Sequence, residues 1–263
     1  RGRKMGPFTP GLAVRRDLFS AVKDATSARA SLVTDVGRGI SLAANYAEGI
    51  AQPTFFDLYG FFPGSYVGNP SLKPERSRGW EISARYRRNS VSASLTYYRQ
   101  RLRDEIVDSP DFTSTVNADG ISTRRGVELE LGWLVGPALR LAGTYTHLDA
   151  NEQKVAGADP EREHRRPRHT GSLSADGMIG RWSYGAAVSF VGKHRDRRDS
   201  APYELVDLSS YWLASANLAY RLSDALEANI RIANALDDRH EDLVAYRTEG
   251  RTIHAGLRLA FGR

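Results

Sequence analysis

Residues 80–97 read WEISARYRRNSVSASLTY. Trp80, Ile82, Ala84 and Tyr86 alternate with Glu81, Ser83 and Arg85. After Arg88-Asn89 the period resumes, with Val91, Ala93, Leu95 and Tyr97 against Ser92, Ser94 and Thr96. Side chains of a strand point alternately to its two faces, so each run makes a strand with one apolar and one polar face. Arg88-Asn89 falls where a tight turn is needed, and the stretch reads as a β-hairpin.

The same pattern recurs on both sides of this hairpin. Ile40, Leu42, Ala44 and Tyr46 oppose Ser41, Ala43 and Asn45; Val127, Leu129, Leu131 and Trp133 oppose Glu128, Glu130 and Gly132. Near the end, Leu226, Ala228, Ile230 and Ile232 oppose Glu227, Asn229 and Arg231, and Ile253, Ala255, Leu257, Leu259 and Phe261 oppose His254, Gly256 and Arg258. No helical period intervenes, and counting hairpins gives about twelve strands. The first is weak, because Pro10 interrupts Phe8, Leu12 and Val14 and proline belongs on an edge.

The connections decide the kind of sheet. Short links fall near Gly37-Arg38, Arg88-Asn89, Gly136-Pro137, Ile179-Gly180 and Ser223-Asp224, and they alternate with long polar stretches at 49–74, 102–121, 149–166, 192–208 and 235–249. A soluble sandwich has alternating strands too, but no reason to send every long loop to one end. A transmembrane barrel has that asymmetry, with lipid-facing apolar and lumen-facing polar residues. Tyr86, Trp133, Trp182 and Tyr220 flank the short turns and Phe261 lies near the C-terminus, where an interfacial aromatic girdle belongs. The predicted fold is all-β, an antiparallel transmembrane β-barrel.

Composition fits. Hydrophobic residues make up 41% of the chain and mean hydropathy is −0.46. No run approaches the roughly 18 apolar residues of a membrane helix, whereas a membrane strand needs only about 9 to 11 alternating ones. Cysteine is absent, which removes disulfide and thiolate-metal chemistry. The net charge of +6 has no recognisable nucleic-acid reading element beside it, so nucleic acid is not expected as a partner. Arg1-Gly2-Arg3-Lys4-Met5 leads into no apolar stretch of signal-peptide type, and the chain reads as truncated at its front.

The stretch from Tyr46 to Glu81 contains Asn69-Pro70-Ser71-Leu72-Lys73-Pro74-Glu75 leading into a strand. Ile232-Ala233-Asn234-Ala235-Leu236-Asp237-Asp238 closes a later strand, and Phe261 lies in the last. In this order these features resemble TonB-dependent outer-membrane receptors. Asn234 and Asp237 match an Asn-Leu-Phe-Asp string in which Leu236 replaces the usual Phe, and Gly262-Arg263 after Phe261 departs from an aromatic last residue. Pro70 and Pro74 hold the residues before them extended and guide a long loop back into a strand, so Asn69 to Glu75 is read as structural.

The resemblance implies a bacterial outer-membrane, multi-pass barrel of about 22 strands, a size at which the lumen is plugged. Residues 1–263 would be its C-terminal part, with signal peptide, plug and first barrel strands outside. It further implies active transport of a scarce, bulky nutrient energised by the TonB complex through that missing N-terminal region, with lipid and lipopolysaccharide around the wall. Leu58-Tyr59-Gly60-Phe61-Phe62 together with the Asn69–Glu75 string looks most like cobalamin receptors; ferric-siderophore receptors share much of it. Haem receptors often carry a His between their signature strings, and Pro53 to Asn69 has none.

Phe55, Phe56, Tyr59, Phe61, Phe62 and Tyr66 crowd one loop and form the candidate ligand site, since rigid rings suit a flat, partly apolar ligand. Packing of the loop on itself is the competing account. Arg165, Arg166, Arg168, Lys193, Arg195, Arg197 and Arg198 suggest an anion or lipopolysaccharide surface, but Glu161, Glu163, Asp196 and Asp199 favour a solvated mixed-charge loop. The six histidines have no metal-ligand spacing, no phosphate loop or nucleophile elbow occurs, and no catalytic residue, metal or cofactor is expected. A passive channel or structural barrel is the alternative function, which strand pattern alone does not separate from a receptor.

Overall fold

A computed structural model describes residues 7–20, 22–198 and 202–261. Twelve long strands follow one another in chain order: β1 Phe8–Asp17, β2 Ala25–Gly37, β3 Ile40–Ala51, β4 Glu75–Arg88, β5 Val91–Arg103, β6 Ser122–Leu134, β7 Arg140–Glu152, β8 His169–Ile179, β9 Trp182–Val191, β10 Tyr211–Arg221, β11 Leu226–Ala233 and β12 Thr252–Leu259. Each lies next to its sequence neighbour in a single sheet, and Glu161–Arg162 adds a short strand beside the end of β7. β1 pairs with β2 over its whole length, Pro10 included.

The links keep the expected asymmetry. Residues 38–39, 89–90, 135–139, 180–181 and 222–225 make the short turns, and residues 18–24, 52–74, 104–121, 153–168, 192–210 and 234–251 the long links. Asn89 turns the chain at φ 52° and Gly180 at φ 59°, a left-handed backbone that asparagine and glycine accept readily. Among the described residues the long links form short two-stranded ribbons and one helix, α1 (Phe55–Tyr59), which the strand periodicity does not reveal. No described helix is long and apolar enough to cross a membrane.

The chain divides into two compact units. The first takes in the chain to Ala84 together with Thr96–Gly126 and Asp149–Glu163; the second takes in Arg85–Leu95, Val127–Leu148 and the chain from His164. In the first, β2 aligns Leu32 with Ala44 and Ala30 with Tyr46 on one face, while Ser31 meets Asn45 on the other. Asn45 donates to Glu81 at 2.8 Å on that polar face. The buried apolar residues of this unit include Leu58, Leu72 and Ala118, all in the long links.

In the second unit the two faces are sharply unlike. Trp182 pairs with Tyr220, Ala186 with Ala216, Val188 with Ala214 and Phe190 with Trp212. The Trp182–Tyr220 and Phe190–Trp212 ring pairs, with centroids 4.6 and 4.8 Å apart, lie eight residues apart along β9. At roughly 3.3 Å per residue this is about 26 Å along the strand, close to the apolar band of about 25 Å in an outer-membrane barrel. On the other face Thr144 meets Ser172 at 2.7 Å, Arg140 meets Asp176 at 3.0 Å, and Glu227 lies opposite Arg258. Leu173 and Leu257 stand 65% and 73% exposed on the apolar face. In water each such side chain forgoes about 1.5–3 kcal/mol of burial; a hydrocarbon surrounding removes that cost.

Candidate functional site: an aromatic outer loop

The chain leaves β3 at Ala51 and enters α1 through Thr54. Thr54 Oγ1 accepts from the Asp57 N–H at 3.1 Å, while the Thr54 N–H donates to Asp57 Oδ2 at 2.7 Å, a reciprocal cap that starts so short a helix. Leu58 is buried, so the rings of the helix face outward: Phe55 is 82% exposed, and Phe56 and Tyr59 are also exposed. The Gly60 N–H closes the helix onto the Phe56 carbonyl at 2.8 Å.

A ribbon of Phe61–Phe62 against Tyr66–Val67 then returns the chain to the helix. Gly68 donates to the Gly60 carbonyl and Asn69 to the Asp57 carbonyl, both at 2.7 Å. A Cβ on Gly68 would lie 2.6 Å from the Tyr59 nitrogen, so only glycine permits this approach. Phe56 stacks on Tyr66 at 4.6 Å and tilts against Phe62 at 5.9 Å; Phe55 meets Tyr59 at 6.3 Å. The loop thus packs part of its aromatic set on itself and leaves Phe55, Tyr59, Phe61 and Phe62 open.

The Asn69–Glu75 string holds this loop against the next one, residues 104–121. Asn69 Oδ1 accepts from the Ser71 N–H at 3.0 Å and its Nδ2 donates to the Thr115 carbonyl at 3.0 Å. The Asn117 amide mimics a strand partner of Lys73, accepting from its N–H at 2.8 Å and donating to its carbonyl at 2.9 Å, and donates also to the Asp104 carbonyl at 2.8 Å. Glu75 Oε1 accepts from the Ile106 N–H at 2.8 Å. Leu72 and Pro74 are buried and Pro70 is exposed. A further pair of bonds, Val67 N–H to the Thr113 carbonyl and Ser114 Oγ to the Val67 carbonyl, seals the upper seam at 2.8 and 2.7 Å.

The family model of the TonB-dependent receptor-like β-barrel matches residues 4–235. This chain belongs to the TonB-dependent receptor family. Among curated relatives, the vitamin B12 transporter BtuB of Photobacterium profundum is 28% identical over 222 residues, which is 82% of this chain and 34% of that protein. The chain therefore spans about a third of the length of that relative. Among solved structures, the siderophore receptor PirA of Acinetobacter baumannii aligns with a TM-score of 0.80 at 18% identity, over 97% of this chain and 44% of that one. The ferric enterobactin receptor of Pseudomonas aeruginosa aligns at 0.75 and 21%, over 98% of this chain and 43% of that one. These likenesses fix the fold, and the proteins matched are transporters and receptors, not enzymes. As a TonB-dependent receptor barrel the chain is an outer-membrane protein.

The other family residues occupy strand ends. Asn234, at φ 47°, donates to the Asp238 and Glu249 carbonyls at 2.7 and 3.0 Å and accepts from the Asp238 N–H at 3.0 Å. Asp237 accepts from the Arg251 N–H at 2.8 Å, and that bond holds its carboxyl below the ordinary range. The pair folds the end of β11 back toward the start of β12. Phe261 follows β12 at 87% exposure; Gly262 and Arg263 lie outside the described residues.

Two arginines of the basic loops, Arg165 and Arg195, have carboxylate partners. Asp196, 1% exposed, accepts from Arg165 Nε at 2.6 Å and from the Arg197 and Val244 N–H groups at 2.8 Å each. Burial alone would raise its carboxyl, but these donors together bring it below the ordinary value. Arg195 pairs with Asp207 at 3.0 Å. Asp199, which was expected to share in this neutralisation, lies outside the described residues. His240 stacks on Tyr211 at 3.7 Å between Asp238 and Asp242, and Tyr211 donates to Asp242.

Proposed function

We propose that the chain forms the C-terminal part of an outer-membrane receptor that takes up a bulky, scarce nutrient, cobalamin or a ferric siderophore, energised through TonB. On this reading the remaining strands of a barrel of about 22, and its plug, come from parts of the receptor outside residues 1–263. The observation that carries the reading is the group of exposed rings on α1 and the Phe61–Val67 ribbon, held in one shape by the Asn69 and Asn117 amides. A structural barrel has no use for exposed rings fixed so firmly, and a passive channel needs polar walls.

The charge around the rings favours cobalamin. Thr54 to Val67 contains Asp57 and no Lys, Arg or His. An anionic ferric complex calls for paired cations, whereas an uncharged macrocycle needs apolar area and a few hydrogen-bonding groups. Likeness to the vitamin B12 transporter over most of this chain supports the same choice.

The test is equilibrium binding and growth rescue by the full receptor, with cyanocobalamin in one arm and ferric enterobactin in the other. Saturable cyanocobalamin binding with TonB-dependent accumulation is expected. Accumulation that persists without TonB would indicate a passive channel; binding of the iron complex alone would move the assignment to siderophores.

A further inference from the structure

The apolar face of the first unit ends in arginine. On β3 the alternating residues Ile40, Leu42, Ala44 and Tyr46 cover about 20 Å at roughly 3.3 Å per residue, and the next position on that face is Glu48. On β4 and β5 the rings of Trp80 and Tyr97 meet with centroids 5.3 Å apart. Beyond them, toward the long links, the same alternation brings Arg78 and Arg76 on β4 and Arg99, Arg101 and Arg103 on β5. All five are exposed. The period of two that makes an apolar wall runs on as a period of arginines.

Their arrangement is unfavourable without an added anion. A Cβ on Gly79 would lie 3.6 Å from the Gln100 Cβ, so Gly79 faces Gln100 across the β4–β5 pair. That register sets Arg78 opposite Arg101 and Arg76 opposite Arg103, and like charges directly opposite each other on one face destabilise a sheet. β3, β4 and β5 place one carboxylate on this face, Glu48; Glu75 and Glu81 take the other alternation, where Glu81 accepts from Asn45. Glu48 is held by the Tyr46 hydroxyl at 2.8 Å, the Ala28 N–H at 3.2 Å and Arg78 at 3.0 Å. Among the described residues no ion pair reaches Arg76, Arg99, Arg101 or Arg103.

Depth selects the occupant. The arginines begin where the lipid-facing band ends, on the side of the long links, and such side chains lay their methylenes on an apolar surface while the charge extends to the headgroups. A guanidinium fork matches phosphate with two parallel hydrogen bonds. We propose that this face of β4 and β5 binds the phosphate groups of outer-leaflet lipopolysaccharide through Arg76, Arg78, Arg99, Arg101 and Arg103. The site uses none of the arginines of residues 165–198 and none of the rings of residues 55–66. It rests on the long links facing outward, and not on which nutrient the receptor carries.

The test titrates the full receptor, purified in a nonionic detergent and stripped of lipopolysaccharide, with bisphosphorylated lipid A and with the same lipid dephosphorylated. Folding is followed by the heat-dependent gel shift of an intact barrel. Wild type is expected to bind the phosphorylated lipid about tenfold more tightly. Arg76→Gln/Arg101→Gln should lose about tenfold and bind the two lipids nearly alike, whereas Arg85→Gln/Arg87→Gln, an equal charge change on the opposite alternation of β4, should keep the preference. Equal affinity of wild type for the two lipids, an unaltered preference in Arg76→Gln/Arg101→Gln, or an equal loss in the Arg85 and Arg87 control would overturn the proposal. So would complete competition by inorganic phosphate at the lipid's own concentration, which makes the face a site for free anions. If the double variant does not fold, Arg101→Gln alone decides, with about a threefold loss expected and an unchanged affinity overturning the site.

Discussion

Two sets of outer links in this chain solve the problem of order in opposite ways. Residues 52–74 and 104–121 are joined by neutral groups: backbone bonds, the Asn69 and Asn117 amides, and buried Leu58 and Leu72. They leave rings in the open. Residues 164–168, 192–210 and 234–251 are charge-rich and turn charge inward, around a fully buried Asp196 and the Tyr211–His240 stack between two aspartates. A buried carboxylate matched by its own donors offers little to a ligand, whereas exposed rings held by amides remain available. On the proposed reading the first set is the binding side and the buried Asp196 cluster a scaffold.

The largest expected effect lies in the second set. Asp196→Ala removes a carboxylate partner of Arg165 and the side-chain acceptor of the Arg197 and Val244 N–H groups, which should cost about 2–4 kcal/mol of local stability. Proteolysis of residues 192–210 and 234–251 should accelerate while cyanocobalamin affinity stays near wild type; an equal loss of affinity would dissolve the contrast between the two sets.

Next in size is Asn117→Ala, which removes two hydrogen bonds between the two aromatic-side loops and a third within residues 104–121, and should cost about 1–3 kcal/mol. Here affinity should fall about tenfold, because the rings lose their fixed relation. Unchanged titration curves for this variant would show that the amide clamp serves stability alone.

A smaller effect concerns Glu105, at the base of the same region. Burial pushes its carboxyl up, offset in part by a hydrogen bond with Ser122, with Glu163 and Glu75 adding repulsion and Arg124 relief. A raised folded value means the ionised form is a burden at neutral pH that lightens as pH falls through that value. Glu105→Gln should therefore be as stable as wild type or slightly more so at pH 7, by less than about 1 kcal/mol after solvent screening, with the gap closing at acid pH. Melting the two proteins across pH checks the sign.

The smallest effect is a flat response. Hydrogen bonds from Ser109 and Thr113 hold Asp111 down to about 2. Its contribution to the turn at residues 109–114 is present above the ordinary value of 3.8 and is lost only as pH falls through about 2. Protease resistance of residues 104–121 should not change between pH 7 and pH 5 on this group's account, and limited proteolysis over that range reads it directly.

Most of the wall was legible in the sequence because a period of two and a tight turn are local signals. Trp80 to Tyr97 carries its own hairpin, and Trp182 and Tyr220 announce the girdle that β9 and β10 bring together. Pro10, which weakens the reading of β1, nonetheless lies within its pairing with β2. The loops were legible in composition only. The rings of 55–66 stand out, but the cap that makes α1 is a single Thr54–Asp57 pair overlooked beside the strand pattern. Asn117 partners Lys73 across 44 residues of chain, and nothing in the letters around Phe112 signals a left-handed backbone. The first depends on tertiary hydrogen bonds and the second on side-chain and backbone bonds within residues 109–114, and a strand period encodes neither.

The central claim is that the rings of residues 55–66 face the outside and receive the ligand. This chain contains no cysteine, so Phe61→Cys supplies a unique label site within it. In intact cells displaying the full receptor, a membrane-impermeant maleimide should react with that position, and saturating cyanocobalamin should slow the reaction severalfold. Failure to label from outside, or labelling at the same rate with and without cyanocobalamin, would contradict the account.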